Sequence, residues 1–216
     1  MLYLLNTEAF DDIFMDEIKR AEKKIFVSDS IVRGNKLSVC GRVLLGYILK
    51  KYHGKDSFSY YYGKNGKPYL KNGDVFFSIS HSGKYVICCI SESEIGCDVQ
   101  TVEKYNPRIA ERFFTESEKL FLQKSENPSE DFTRLWAMKE SVLKKTGEGI
   151  TGGLNTFSFE NCLAESRFVK FGYHFKVCRL PDAYVCVCSD TEENELIEIK
   201  KEEIENYTDS VLKGEL

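Results

Sequence analysis

The 216-residue sequence predicts an α+β protein of two similar subdomains, each of helices packed on an antiparallel strand meander, in a pseudo-twofold arrangement. Two observations predict it. Two stretches with apolar residues at helical spacing precede a run of short β-branched and aromatic segments, and the second half repeats that element order without a residue-level repeat. Apolar residues make up 42% and aromatics 13% of the chain, with only 4 Pro and 15 Gly, which suits a buried core rather than disorder. The subdomains are expected at residues 1–103 and 104–216, with a binding site at their interface.

Leu2 to Leu5 reads as a short strand. From Thr7 the pattern turns helical, with Phe10, Ile13, Phe14, Ile18 and Ala21 at spacings of three and four. A second helix is expected from about Leu37 to Tyr52, with Cys40, Val43, Leu44, Tyr47 and Ile48 on its stripe. Strands follow at Ser57–Tyr62, Val75–Ser80, Tyr85–Ser91 and Ile95–Val99, and Gly63 to Pro68 is a turn by composition. The last three read as one antiparallel meander, because Ser82-Gly83-Lys84 and Glu92-Ser93-Glu94 are short enough for hairpins. In the second half a helix starts near Asn106, and Thr115 to Glu118 has capping-box spacing. A longer helix covers about Asp131 to Thr146, with Gly147 as its stop. Strands resume at Phe157–Glu160, Arg167–Phe171, Tyr173–Arg179 and Tyr184–Cys188, and the charged C-terminal stretch allows a helix around Glu202.

Charge and hydropathy narrow the classes. A formal net charge of -4 weighs against wholesale nucleic-acid binding, which needs a basic surplus. The longest apolar runs fall short of the ~20 residues of a membrane span. The N-terminal Met-Leu-Tyr-Leu-Leu lacks a basic region and a cleavage site, so a soluble cytoplasmic protein is expected. The eight cysteines sit mostly in apolar strand-like runs and read as reduced core thiols. The alternative, a metal site of Cys178, Cys186, Cys188 and His174, has no zinc spacing behind it.

Chemistry concentrates in three segments. On the helix Arg134–Lys145, Leu135, Met138 and Val142 form one apolar stripe, and Glu140 and Lys144 lie on the opposite side, where Trp136 and Leu143 flank Glu140. Glu140 is therefore expected to be partly buried, needing a partner or a metal. An ordinary i,i+4 surface pair, worth only ~0.3–0.5 kcal/mol, is the alternative. On the strand Ile95–Gln100, Gly96, Asp98 and Gln100 share one face. Asp98 either caps a turn or ligates a metal, and carboxylate and amide oxygens suit Mg²⁺. In Phe77–Ser82, His81 and Ser80 leave a strand into a tight turn, either as turn residues or as phosphate donors. Arg42, Lys67 and Lys139 each read singly as surface charges, and Lys67 belongs to no P-loop because Pro68 follows it.

The ordered set Gly66-Lys67-Pro68, Phe77–Ser82, Ile95–Asp98, Arg112-Phe113-Phe114 and Leu135–Lys144 resembles the 4′-phosphopantetheinyl transferases of the Sfp type. The resemblance runs from about Arg42 to Ile150, fits Tyr184–Cys188 more loosely and leaves the first 35 residues poorly matched. That class resembles two fused copies of a smaller subunit, which agrees with the two halves read above and implies a monomer. The resemblance implies that coenzyme A and Mg²⁺ bind between the halves, that a serine of an apo acyl or peptidyl carrier protein attacks the β-phosphorus, and that 3′,5′-ADP leaves. It implies catalytic roles for Asp98, Glu140 and Lys144, metal contacts from Asp98, Glu140 and Gln100, and coenzyme A contacts from Arg42, Lys67, Ser80 and His81. Lys23, Lys24, Arg33 and Lys36 are further basic candidates, and carrier discrimination is expected around Gly149 to Glu165. Gln100 stands where many members carry an acid, so weaker metal affinity is expected. Neither a nucleic acid nor a membrane is expected as a partner. The alternatives are a non-catalytic coenzyme A or carrier-binding module and an Mg²⁺-dependent pyrophosphate hydrolase.

Overall fold

The computed structural model describes residues 1–27, 35–71, 73, 75–149, 153–192 and 195–215. In chain order its strands and helices are β1 (Leu2–Asn6), α1 (Asp12–Ile25), α2 (Lys36–His53), β2 (Tyr60–Tyr62), β3 (Pro68–Leu70), β4 (Phe76–Ser82), β5 (Tyr85–Ser91), β6 (Ile95–Thr101), α3 (Pro107–Phe113), α4 (Glu116–Lys124), α5 (Pro128–Thr146), β7 (Arg167–Lys170), β8 (Tyr173–Arg179), β9 (Ala183–Ser189), β10 (Leu196–Ile199) and α6 (Lys201–Lys213). The α+β class is as the sequence predicts, and the local stop and start signals act as read. Asn106 caps α3, Thr115 and Glu118 form the capping box of α4, and left-handed Gly147 ends α5.

Two four-stranded sheets organise the molecule, in the orders β10-β1-β5-β4 and β6-β9-β8-β7, with β2-β3 as a separate hairpin. Strand alternation sorts side chains into layers. Tyr3, Leu5, Val86 and Cys88 face a core shared with α1, α2 and α6. Leu2, Leu4, Ile87 and Cys89 face Cys97, Val99, Val185 and Val187 across the space between the two sheets. Cys186, Cys188 and Tyr184 face the outer core with Leu135 and Met138 of α5. All eight cysteines are free thiols and six are buried, consistent with their reading as core residues.

The strand pairing corrects the expected meander. β4 and β5 form a hairpin, but β6 pairs antiparallel with β9. The reason is that β1 and β4 already occupy both edges of β5. The sheets also cross the expected boundary at residue 103: β6 precedes it yet joins the second sheet, while β10 pairs parallel to β1 and α6 packs in the first core. The expected strand Phe157–Glu160 is instead irregular with short 3-10 turns. There the Phe157 carbonyl accepts from the buried Lys139 ammonium, and the Phe159 N–H donates to Glu118 at 3.0 Å, so these backbone groups bond side chains rather than a ladder.

Candidate active site at the seam between the sheets

The two sheets meet where β4 runs beside β6. From Ser78 on, every second residue of β4 is a serine, and each reaches across. Ser78 Oγ accepts from Cys97 N at 3.1 Å, Ser80 Oγ donates to Asp98 Oδ1 at 2.7 Å, and Ser82 Oγ accepts from Thr101 N at 3.0 Å. The face of β6 that carries Gly96 and Asp98 lies directly on α5, and Gly96 permits the approach. A Cβ there would stand 2.1 Å from the Ser141 carbonyl oxygen and 2.3 Å from the Lys145 nitrogen. This contact puts Asp98, two residues on, against the Glu140–Lys144 face of α5.

Lys144 Nζ donates to Asp98 Oδ1 at 2.7 Å and to Ser80 Oγ at 2.8 Å. Asp98 and Glu140 are 4% and 9% exposed, so both acids are withdrawn from water. Asp98 Oδ2 and Glu140 Oε1 are buried with no hydrogen-bond partner among the described residues. Burial, and then the Asp98 charge, raise the Glu140 pKa above the ordinary carboxylate value, against a smaller opposing pull from Lys144. Burial alone would lower Lys144, but the charge and hydrogen bond of Asp98 outweigh it and hold its pKa above the ordinary lysine value. Lys144 is thus a cation and donor, and Glu140 is an acid with raised proton affinity.

The other expected site residues divide. His81 is half-buried, with Nε2 3.1 Å from Ser38 Oγ, and burial together with the Lys144 charge lowers its pKa and favours the neutral ring. Ser80 is shared between Asp98 and Lys144 as above. Lys67 lines an open cleft of about 230 Å³ together with Glu140, Lys144, Phe77 and Gly147, and its ammonium is ion-paired with Glu94. Arg42 is buried on α2, paired with Glu22 of α1, with its guanidinium carbon 5.6 Å from the Phe26 ring centroid. Gln100 lies on the Asp98 face of β6 but lines a separate cleft with Glu103, Asn106, Phe132 and Trp136. Lys24 donates to the Leu212 carbonyl at the end of α6, and Lys36 pairs with Asp12. Arg33, and residues 150–152 of the expected carrier-discriminating stretch, lie outside the described residues.

Sequence reading missed Glu22, Glu94 and Ser38, the partners of Arg42, Lys67 and His81, because each sits on a different element from its partner. It could have found Gly96, whose place inside an apolar strand signals close approach of another backbone. No group of three His, Cys, Asp or Glu among the described residues is arranged to hold a metal. Two buried acids with unpartnered oxygens nevertheless fit a hard cation that retains several waters, as Mg²⁺ does. No helix among the described residues is long and apolar enough to cross a membrane.

Residues 94–189 match the 4′-phosphopantetheinyl transferase superfamily. The chain is 31% identical over 144 residues to the 4′-phosphopantetheinyl transferase gsp of Aneurinibacillus migulanus, covering 65% of this chain and 60% of that one. It is 38% identical over 96 residues to the 4′-phosphopantetheinyl transferase Sfp of Bacillus subtilis (strain 168), covering 43% of each. The aligned stretches therefore span less than two thirds of these relatives. The holo-[acyl-carrier-protein] synthase of Thermotoga maritima aligns with a TM-score of 0.30 and 23% identity over 46% of this chain and 64% of that one, a likeness too slight to carry an argument. The stretch that carries Asp98, Glu140 and Lys144, residues 94–189, is thus similar to the 4′-phosphopantetheinyl transferase superfamily.

Proposed function

We propose that the chain transfers the 4′-phosphopantetheine arm of coenzyme A to a serine of an apo acyl or peptidyl carrier protein, releasing 3′,5′-ADP. The observation that carries this reading is the convergence of Asp98 from β6 with Lys144 from α5, 2.7 Å apart and bordered by the buried, unpartnered Glu140 Oε1. Such a site offers what phosphoryl transfer needs: fixed positive charge for a diphosphate and a base beside the incoming hydroxyl. Both parts come from one chain, which supports a monomer. A cytoplasmic location is part of the same proposal.

Glu140 takes the proton of the carrier serine as its oxygen bonds to the β-phosphorus, and its raised proton affinity favours that role. Lys144, held protonated, donates to the bridging oxygen that leaves with 3′,5′-ADP as the P–O bond breaks. Asp98 orients Lys144, and Ser80 fixes Asp98. Asp98 and Glu140 would hold Mg²⁺, with Gln100 as a weak or water-mediated contact, and the ion would neutralise charge developing on the diphosphate. Lys67, His81 and Arg42 are assigned to the phosphates of coenzyme A.

The test is to incubate the protein with coenzyme A, Mg²⁺ and an apo carrier and to weigh the carrier. The proposal expects a gain of one phosphopantetheine arm per carrier with equimolar 3′,5′-ADP. Release of 3′,5′-ADP without a carrier would mark a hydrolase, and tight binding without turnover a binding module.

A further inference from the structure

Lys67 follows the left-handed Gly66 in the turn between β2 and β3, and its side chain is only 6% exposed. An ammonium has three donors. In this structure three acceptors meet them: the Lys145 carbonyl at 2.7 Å, the Ile95 carbonyl at 3.3 Å and the Glu94 carboxylate. The two carbonyls are neutral and fixed, one in the last turn of α5 and one at the start of β6. Glu94 is the one charged partner, and it lies in the turn ahead of β6. A phosphate reaching Lys67 therefore competes with Glu94, the one charged partner among these three acceptors.

The lysine and arginine cations of the proposed site are each paired internally: Arg42 with Glu22, Lys67 with Glu94, and Lys144 with Asp98. The acids differ in how readily they can leave. Side-chain exposure is 14% for Glu22, 6% for Asp98 and 37% for Glu94. Glu94 alone of the three can swing into solvent and rehydrate without opening a core. Lys67 also shares its cleft with Glu140 and Lys144, so the exchange takes place within the candidate site.

We propose that Glu94 is a built-in competitor for the phosphate that binds Lys67, and so a residue that sets the chain's affinity for its phosphate-bearing cosubstrate. The inference rests on the reading of coenzyme A as that cosubstrate. Substrate entry becomes an exchange of one anion for another at Lys67, and Glu94 keeps the cation neutralised until the exchange.

Calorimetric titration of wild type and Glu94→Gln with coenzyme A, and with pantetheine as a phosphate-free control, tests this. Glu94→Gln is expected to bind coenzyme A roughly two- to fivefold tighter, the range an ion pair with one exposed partner allows, and pantetheine unchanged. The gain should shrink as salt is raised. Coenzyme A bound by wild type but no tighter by Glu94→Gln, or an equal gain with pantetheine, overturns the role of Glu94 alone. No binding of coenzyme A by folded wild type overturns both this inference and the transferase reading.

Discussion

Lys144 Nζ stands 2.7 Å from Asp98 Oδ1, joining a helix cation to a strand acid 46 residues earlier. The i,i+4 relation of Glu140 and Lys144, legible in the sequence, is therefore not the pairing that holds the cation in this structure. Lys144 bonds across to the strand, and the Glu140 carboxylate keeps a buried oxygen with no partner among the described residues. Substituting Lys144 by Ala is expected to lower turnover by roughly 10²–10³-fold, the usual cost of losing one transition-state donor, with a small change in coenzyme A affinity. Steady-state kinetics and calorimetry check it, and near wild-type turnover removes Lys144 from the mechanism.

Glu140→Gln should abolish turnover and yet stabilise the fold. Burial and the Asp98 charge raise the Glu140 pKa, so its ionisation opposes folding at neutral pH. Wild type regains that stability as pH falls through the raised value, and Gln never loses it. The variant should thus melt roughly 2–4 °C higher at neutral pH, and the difference should vanish in acid, where Glu140 is protonated in both states. A lower melting temperature at neutral pH contradicts the assignment.

Gln100→Glu is expected to reduce the Mg²⁺ concentration needed for half-maximal activity by several-fold, because it adds a charge on the Asp98 face of β6. An unchanged metal requirement places Gln100 away from the ion, with the cleft of Phe132 and Trp136 as its own environment.

Gly96→Ala should cost stability and activity together. Its Cβ would meet the backbone of α5 at 2.1 Å, so β6 must move off the helix that carries Glu140 and Lys144. Overpacking of this kind costs about 1–3 kcal/mol, readable by urea unfolding. Full activity at wild-type stability would show that strand and helix need not touch there.

Lys139→Met should be more damaging to the fold than any change at Lys144. Lys139 and Glu118 are both fully buried and 2.9 Å apart, and breaking such a pair costs about 3–5 kcal/mol by leaving a charge uncompensated. Urea unfolding measures it, and a loss under 1 kcal/mol would contradict the buried pairing.

These contrasts mark how far the sequence could be read. Asp98 stood out because an acid is unusual on a strand of Ile, Cys and Val, and the cleft face of α5 followed from helical periodicity. Capping signals at Asn106, Thr115 and Gly147 are local chemistry and were legible for that reason. The pairing of β6 with β9 and of β10 with β1 depends on contacts remote in sequence, and the short Glu92-Ser93-Glu94 connection pointed to a hairpin instead. Phe157 and Phe159 alternate as in a strand, and only the distant Lys139 and Glu118 reveal why no ladder forms. Lys139 itself read as a surface charge from its own segment, since neither Glu118 nor the Leu154 carbonyl that it meets lies within two turns of it.

The most direct measurement is a crystal structure with coenzyme A and Mn²⁺, located by its anomalous signal. The account predicts one ion bounded by Asp98, Glu140 and the diphosphate, with Lys144 turned toward the phosphate. An ion elsewhere, or a diphosphate out of reach of Lys144 and Glu140, contradicts it.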